Sequence, residues 1–219
     1  MIRDLDQTIS SMLKTGAAPG SSLATATISF DLPDATWRGG LAGLTINCYL
    51  YDICENLEMR TYEPLVTVVA GGASAARSDP PIRINCSYCI TAWSTAATDA
   101  VLDEHDLLSQ ALVVLLRYQP LPNSVLQGAL VGQIPPYPLV IASQEGVVKH
   151  HPQFWTALDQ KLKPSLNYVL TLALPVQPPD AAQPTPFKTV QLTAGQTPPP
   201  VPPVTPPAGA QPSFTLTET

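Results

Sequence analysis

From Ile82 to Ser94 the chain alternates: Ile82, Ile84, Cys86, Tyr88, Ile90 and Ala92 take one parity, and Arg83, Asn85, Ser87, Cys89, Thr91 and Trp93 take the other. Successive side chains of a strand point to opposite faces, so this run predicts a β-strand in a sheet with one dry side. The run that follows changes period. Leu107, Leu108, Ala111, Leu112 and Leu115 recur at helical spacing, while Asp106, Gln110 and Arg117 form an opposing polar stripe. Asp99, Asp103, Glu104 and Asp106 come early, Arg117 comes late and Pro120 stops the run, as the helix dipole and helix termination favour. A helix laid on the dry side of that strand is the expected nucleus of a domain. Each fully buried leucine in it contributes roughly 1.5 to 3 kcal/mol.

The same patterns recur on either side. Ile2, Leu5, Ile9, Met12 and Leu13 share one side of a predicted helix over 2–15, closed by Lys14 and Gly16. Ser22 to Phe30 is rich in β-branched residues and reads as a strand ending at Asp31, Pro33 and Asp34, and 35–43 reads as a flexible connection. Leu44 to Cys54 is a second strong strand. Its residues Leu44, Ile46, Cys48 and Leu50 form one face, and Thr45, Asn47, Tyr49 and Tyr51 form a wetter one. Arg60 to Val69 extends a hairpin interrupted by Pro64, and Ala70 to Pro80 is a small-residue loop. Prolines at 120, 122, 135, 136 and 138 leave room only for short edge strands or a short helix. Pro152 to Leu162 reads as a brief helix with Phe154, Trp155, Leu158 and Leu162 on one stripe, and Leu166 to Leu174 as a last strand. The expected fold is α/β (α+β), a single mixed-sheet domain packed by helices over residues 1–174.

Residues 175–219 differ in composition. About half of the 25 prolines fall in this final fifth, including PPPVPPVTPP, so it reads as an extended polyproline II arm. Two stretches in it alternate like strands, Phe187 to Thr193 and Ser213 to Thr219. Each could pair with an exposed sheet edge, which makes Phe187, Val190, Leu192, Phe214 and Leu216 candidate partner-binding residues.

Overall, 45% of residues are hydrophobic, ample for a core, while 13% are charged against the usual figure of about 25%. A surface so poor in charge points to partners. The net charge of −6 and the lack of Lys/Arg clusters argue against nucleic acid. No apolar run approaches the roughly 18 residues that span a bilayer, and MIRDLDQTI has no signal-peptide apolar region, so the expectation is assembly in the cytoplasm without membrane insertion.

Candidate chemistry is sparse. Cys86 and Cys89 have the spacing of a redox or zinc pair, but three positions apart in a strand they point to opposite faces and cannot share a metal. Cys48, Cys54, Cys86 and Cys89 read as reduced, buried thiols in strands. Adjacent His150 and His151 diverge in any regular element, and no catalytic fingerprint is present. No metal, cofactor or catalytic residue is expected. An enzyme built on neighbouring Glu104 and His105 and a cytoplasmic adaptor recruiting aromatic-groove modules through its proline-rich arm are the competing readings. Trp93 at the end of the central strand and Trp37 in a Gly-rich connection read as candidate anchors of a subunit contact.

In order along residues 1–175, MIRDLDQTISSML, ISFDLPDATW, LTINCYLYDICEN, PPIRINCSYCITAWS, DEHDLLSQAL and QFWTALDQKLKPSLNYVLTLAL resemble the cap, or tail-terminator, family of extracellular contractile injection systems of the antifeeding-prophage and Photorhabdus virulence cassette type. The proline-rich extension and Gln153-Phe154-Trp155 depart from that pattern. The resemblance implies a phage tail-terminator-like fold in a homo-hexameric ring on inner tube and sheath subunits, distal to the baseplate. It brings no catalytic residues.

Overall fold

Five strands lie in the order β1-β2-β5-β7-β6 in the computed structural model, which describes residues 1–63, 65–68, 74–142, 152–176 and 184–186. They are β1 (Thr27–Ser29), β2 (Thr45–Glu55), β5 (Ile82–Trp93), β6 (Tyr137–Ile141) and β7 (Leu166–Leu174). A separate sheet joins β3 (Leu65–Val68), β4 (Ser74–Ser78) and β8 (Pro184–Pro186). The large sheet is mixed: β1 runs parallel to β2, and every other pairing in it is antiparallel. The central β5 pairs with β2 from Trp93↔Thr45 to Ile84↔Glu55, and with β7 from Ile82↔Leu174 to Ile90↔Leu166. A bulge between Leu50 and Asp52 interrupts the register of β2, and beyond it Asp52, Ile53 and Cys54 are exposed although still paired with β5, so Cys54 is not the buried thiol expected of it.

Helices α1 (Ile2–Gly16) and α4 (Ala100–Arg117) cover one face. The apolar side of α1 brings Leu5, Ile9, Met12 and Leu13, that of α4 brings Leu107, Ala111 and Leu115, and both rest on Ile46, Cys48, Cys86, Tyr88, Ile90, Tyr168 and Leu170 in one core. The helices cross where Gly16 ends α1. A Cβ there would stand 2.5 Å from Val114 Cγ1 and 2.8 Å from the Tyr118 ring, so the close approach requires a glycine. After α4 two 3-10 turns, Asn123–Val125 and Gly128–Leu130, tuck Val125, Leu126 and Leu130 into the same core, and Gln127 N–H donates to Thr8 Oγ1 of α1 at 3.0 Å.

Three local expectations are corrected. Ser22–Thr25 is one turn of helix, α2, not the start of a strand; the Ser21 side chain accepts from Ala24 N–H, and Gln110 of α4 accepts from Leu23 N–H at 2.9 Å. Capping and a tertiary hydrogen bond outweigh the β-branched composition, and the strand shrinks to Thr27–Ser29. Residues 35–43 are not simply a connection: Asp34 accepts from Trp37 N–H at 2.7 Å and caps the short helix α3 (Ala35–Gly39). The small-residue stretch 70–80 is not simply a loop: it contains β4, which pairs with β3 and β8.

The helix expected over 152–162 is α5, Pro152–Ala157, and Leu162 on its supposed stripe is 74% exposed in the linker beyond it. Phe187, Val190, Leu192, Phe214 and Leu216, with His150 and His151, lie outside the described residues.

One buried polar contact tunes stability. Tyr88, fully buried on β5, donates from its hydroxyl to Asp6 Oδ1 at 2.7 Å, and burial pushes the Asp6 carboxyl above its ordinary value although that hydrogen bond opposes the rise. A carboxyl with a raised folded-state pKa contributes stability that is full below its unfolded pKa and is lost as pH rises through the folded one. Asp6→Asn keeps an acceptor for Tyr88 and removes the charge. The variant is expected to match the parent at about pH 3 and to unfold at a higher urea midpoint at about pH 7, read from urea titrations at the two pH values.

Candidate functional site

The second face of the sheet was expected to be wet, and at the β5 end it is not. Thr45, Asn47, Ser87, Cys89, Thr91, Trp93, Asn167 and Thr171 are all buried. Their polarity is met mainly within the layer. Trp93 Nε1–H donates to Thr91 Oγ1 at 2.8 Å, Tyr51 O–H to Asn167 Oδ1 at 2.8 Å, and Thr171 O–H to Asn85 Oδ1 at 2.7 Å.

The cover comes from α3, α5 and the linker to β7. Trp155 of α5 is 2% exposed and packs with Cys89, and Phe154 meets Trp155 and Tyr51 edge-on at 5.6 and 5.9 Å. At the neighbouring corner Lys163 spans three groups. Its Nζ lies 2.7 Å from Glu104 Oε2, donates to Ala92 O, and stands 4.0 Å from the centroid of the Trp93 ring. Trp37 packs edge-on against Trp93 at 5.5 Å, with the Arg38 guanidinium 5.8 Å from the same ring. Burial lowers the Lys163 pKa, and Glu104 offsets part of that shift.

These placements decide the candidate chemistry. Cys86 faces the helices and Cys89 faces Trp155, on opposite sides of β5. Burial raises the thiol of Cys86 to about 11 and that of Cys89 to about 12, and it raises Cys48 as well. At neutral pH those three are thiols, poor nucleophiles and poor metal ligands. Among the described residues no group of three or more His, Cys, Asp or Glu could hold a metal ion. Glu104 is committed to Lys163 and to Ser94 N–H at 3.1 Å, while His105 beside it in sequence is exposed, so the pair is not assembled for acid–base work.

Of the two candidate tryptophan anchors, Trp93 is 4% exposed within its own chain, beneath Lys163, and Trp37 is half-buried against it. The residues that face outward were not singled out in the sequence. On α4 they are Leu102, Val113 and Leu116; on β6 they are Tyr137 and Leu139, and β6 pairs only with β7 among the described residues. A lone leucine on the polar side of a helix was the available signal, and it is a weak one. No helix among the described residues is long and apolar enough to cross a membrane.

The mixed sheet thus ties its polar groups into its packing and leaves apolar side chains exposed on one helix and one edge strand. The chain belongs to the Pvc16 N-terminal domain family, whose model matches residues 4–189. Its fold is similar to the cryo-EM structure of the PVC sheath/tube terminator of an extracellular contractile injection system in the extended state. That likeness has a TM-score of 0.60 at 24% identity over 90% of this chain and 64% of that one. It is similar also to the anti-feeding prophage cap, a tube terminating cap, with a TM-score of 0.59 at 26% identity over 88% of this chain and 61% of that one. The chain thus spans under two thirds of the length of both solved structures. No curated protein matches it.

Proposed function

We propose that this chain is a structural end-cap of a contractile injection system, a non-enzymatic subunit that closes into a ring on the terminus of the inner tube and sheath and stops their polymerisation. The observation that carries this reading is the shared fold, over nine tenths of the chain, with a sheath/tube terminator. A tube grows by repeating one head-to-tail surface. A terminator must match that surface on one side and refuse a further layer on the other, and a closed ring, here taken as a hexamer of identical chains, does so by symmetry. A low charge content and the exposed apolar residues of α4 and β6 suit a subunit whose surface is largely contact.

In this reading residues 1–174 form the ring-building domain and 175–219 an arm. Within the arm Phe187 to Thr193 or Ser213 to Thr219 adds a strand to a sheath subunit or a neighbouring copy of the chain, and Trp37 is a half-exposed anchor of a subunit contact. Assembly is placed in the cytoplasm, before any release of the particle.

Electron microscopy of particles produced with and without the chain tests the proposal. Particles lacking it are expected to show tubes of uncontrolled length or sheaths slipped from their tubes. Identical length distributions and intact ends in both preparations would overturn the cap.

A further inference from the structure

Helix α4 keeps an apolar stripe in water. Leu102, Val113 and Leu116 are 65%, 53% and 51% exposed, and with Ser109 they fall within about 60° of one another around the helix. Beside the later half of that stripe lies a hollow of about 240 Å³ between the end of α1, α2 and α4. That is several times the roughly 30 Å³ one water molecule occupies, so an aliphatic side chain fits. Gly16, Ala17, Ala18 and Val113 give it small, apolar walls. Its polar members are engaged within the chain: Gln110 Oε1 accepts from Leu23 N–H at 2.9 Å, Ser109 O–H donates to His105 O at 2.7 Å, Ser21 Oγ accepts from Ala24 N–H at 3.4 Å, and Arg117 donates to Gly16 O at 3.3 Å. The hollow therefore suits an apolar knob rather than a polar ligand.

We infer that α4 is the seat of a twofold contact with a second copy of this chain, the two helices antiparallel and Leu102 of each copy filling the hollow of the other. Leu102 and Val113 lie eleven residues apart, roughly 16 Å along the helix axis. Turning one helix end for end about the point midway between them sets Leu102 of one copy against Val113 of the other, and the reverse. The same rotation brings Asp99 of one copy level with Arg117 of the other. Both are exposed, and at eighteen residues, about five turns, apart they lie on one line of the helix.

The charges select this occupant. Asp103 accepts from Ser94 O–H at 3.3 Å, Glu104 is paired with Lys163 and Asp106 accepts from Gln110 at 2.7 Å, whereas the Asp99 side chain makes no cap hydrogen bond. Asp99 is thus the carboxylate of this helix start that an arginine from outside can meet, and antiparallel helix dipoles favour the same arrangement. An exposed pair of this kind contributes little energy; it fixes the register, and Leu102 in the hollow supplies the affinity. An unrelated helix would have to bring a knob, a hollow and both charges of its own, while a second copy carries all of them on α4. A twofold contact is complete with two chains, whereas a ring grows head to tail. The pairing therefore goes beyond the end-cap reading: it is the state of the chain away from the particle.

Sedimentation of the full chain tests it. The parent is expected to run as a dimer that dissociates on dilution, and Leu102→Asp to raise the dissociation constant at least about 100-fold, tenfold for each of the two symmetry-related leucines. Cross-linking reads the geometry. In a Cys54→Ser background, which removes the exposed thiol, chains carrying Leu102→Cys are mixed with chains carrying Val113→Cys. The mixture is expected to form interchain disulfides at least about 10-fold faster than either chain alone, because two copies of the same cysteine lie roughly 16 Å apart, beyond disulfide reach.

A monomeric parent, whose stripe then belongs to a tube or sheath subunit, would overturn the pairing, as would a parent that runs only as a larger ring or equal cross-linking rates in the three samples. The end-cap reading is judged apart, by tube length in particles carrying Leu102→Asp. Normal ends beside a monomeric Leu102→Asp and a dimeric parent support both readings; normal ends beside a monomeric parent leave only the cap.

Discussion

Glu104→Ala is expected to lower the unfolding free energy by about 3 kcal/mol, the lower end of what removing one partner of a buried ion pair costs. The lower end applies because Lys163 and Glu104 each keep a little surface in water, 15% and 16%. The loss arises on the lysine. Without the carboxylate, an ammonium group enclosed by Trp93 and the linker retains only the Ala92 carbonyl.

Lys163→Met is expected to cost less, because Glu104 keeps Ser94 N–H and the methionine still covers the Trp93 ring. Joined as Glu104→Leu/Lys163→Met, the two changes are expected to come close to neutral, since an apolar pair of similar volume has no charge to desolvate. Urea titrations of the parent, Glu104→Leu, Lys163→Met and the double variant close a cycle and give the coupling directly.

The pH dependence supplies a second check. The folded-state pKa of Lys163 is already lowered, first by burial, and Glu104 is what holds it up. Its removal drops that pKa further and widens the window, ending at the ordinary lysine value, in which the unfolded chain binds the proton more tightly than the folded one. In that window stability rises with pH. The deficit of Glu104→Ala is therefore expected to be largest near pH 7 and to shrink toward about pH 10. A deficit independent of pH would mean that the loss is one of packing rather than charge.

The same corner shows what the chain's pattern could and could not reveal. The core side of β5, the stripe of α4 and the alternation of Leu166–Leu174 are legible because apolar residues at a fixed period have one cheap solution, burial on a common face. The other parity, Ser87, Cys89, Thr91 and Trp93, reads as wet because it is polar. It is dry because Trp155, Lys163 and Trp37 arrive from stretches far away in sequence, and because its hydroxyls and amides bond one another. Alternation records which side chains share a face; it holds no information on what a distant segment lays over that face.

Helix α3 was legible in principle, since Asp34 three residues before Trp37 is a capping signature, but the glycines after it masked the signal. The exposure of Leu162 could not be read at all. It follows from Leu162 falling beyond the end of α5, a consequence of where a six-residue helix stops.

That helix is the subject of the other large effect. Six residues are too few to hold helical form alone, so α5 stands on what its side chains bury. Trp155 supplies most of it: nearly all of its surface is lost to Cys89, Phe154 and the sheet beneath. Trp155→Ala is expected to cost about 3–5 kcal/mol, the range for deleting a large buried aromatic. Trp155→Phe is expected to cost only about 1 kcal/mol, because the ring is largely replaced and the indole N–H it removes has no acceptor among the described residues.

Thiol reactivity separates local from global loss. Of the four cysteines only Cys54 is exposed, so the folded parent should titrate one thiol with a disulfide reagent. Cys89 is held near 12 by burial under Trp155, and the alanine variant, still folded in mild conditions, should titrate a second. Cys48 and Cys86, in the core under α1 and α4, should stay silent until the whole domain unfolds. If Cys89 reacts only together with Cys48 and Cys86, at the rate of global unfolding, the second face has no independent opening, and its cover is part of the one cooperative core.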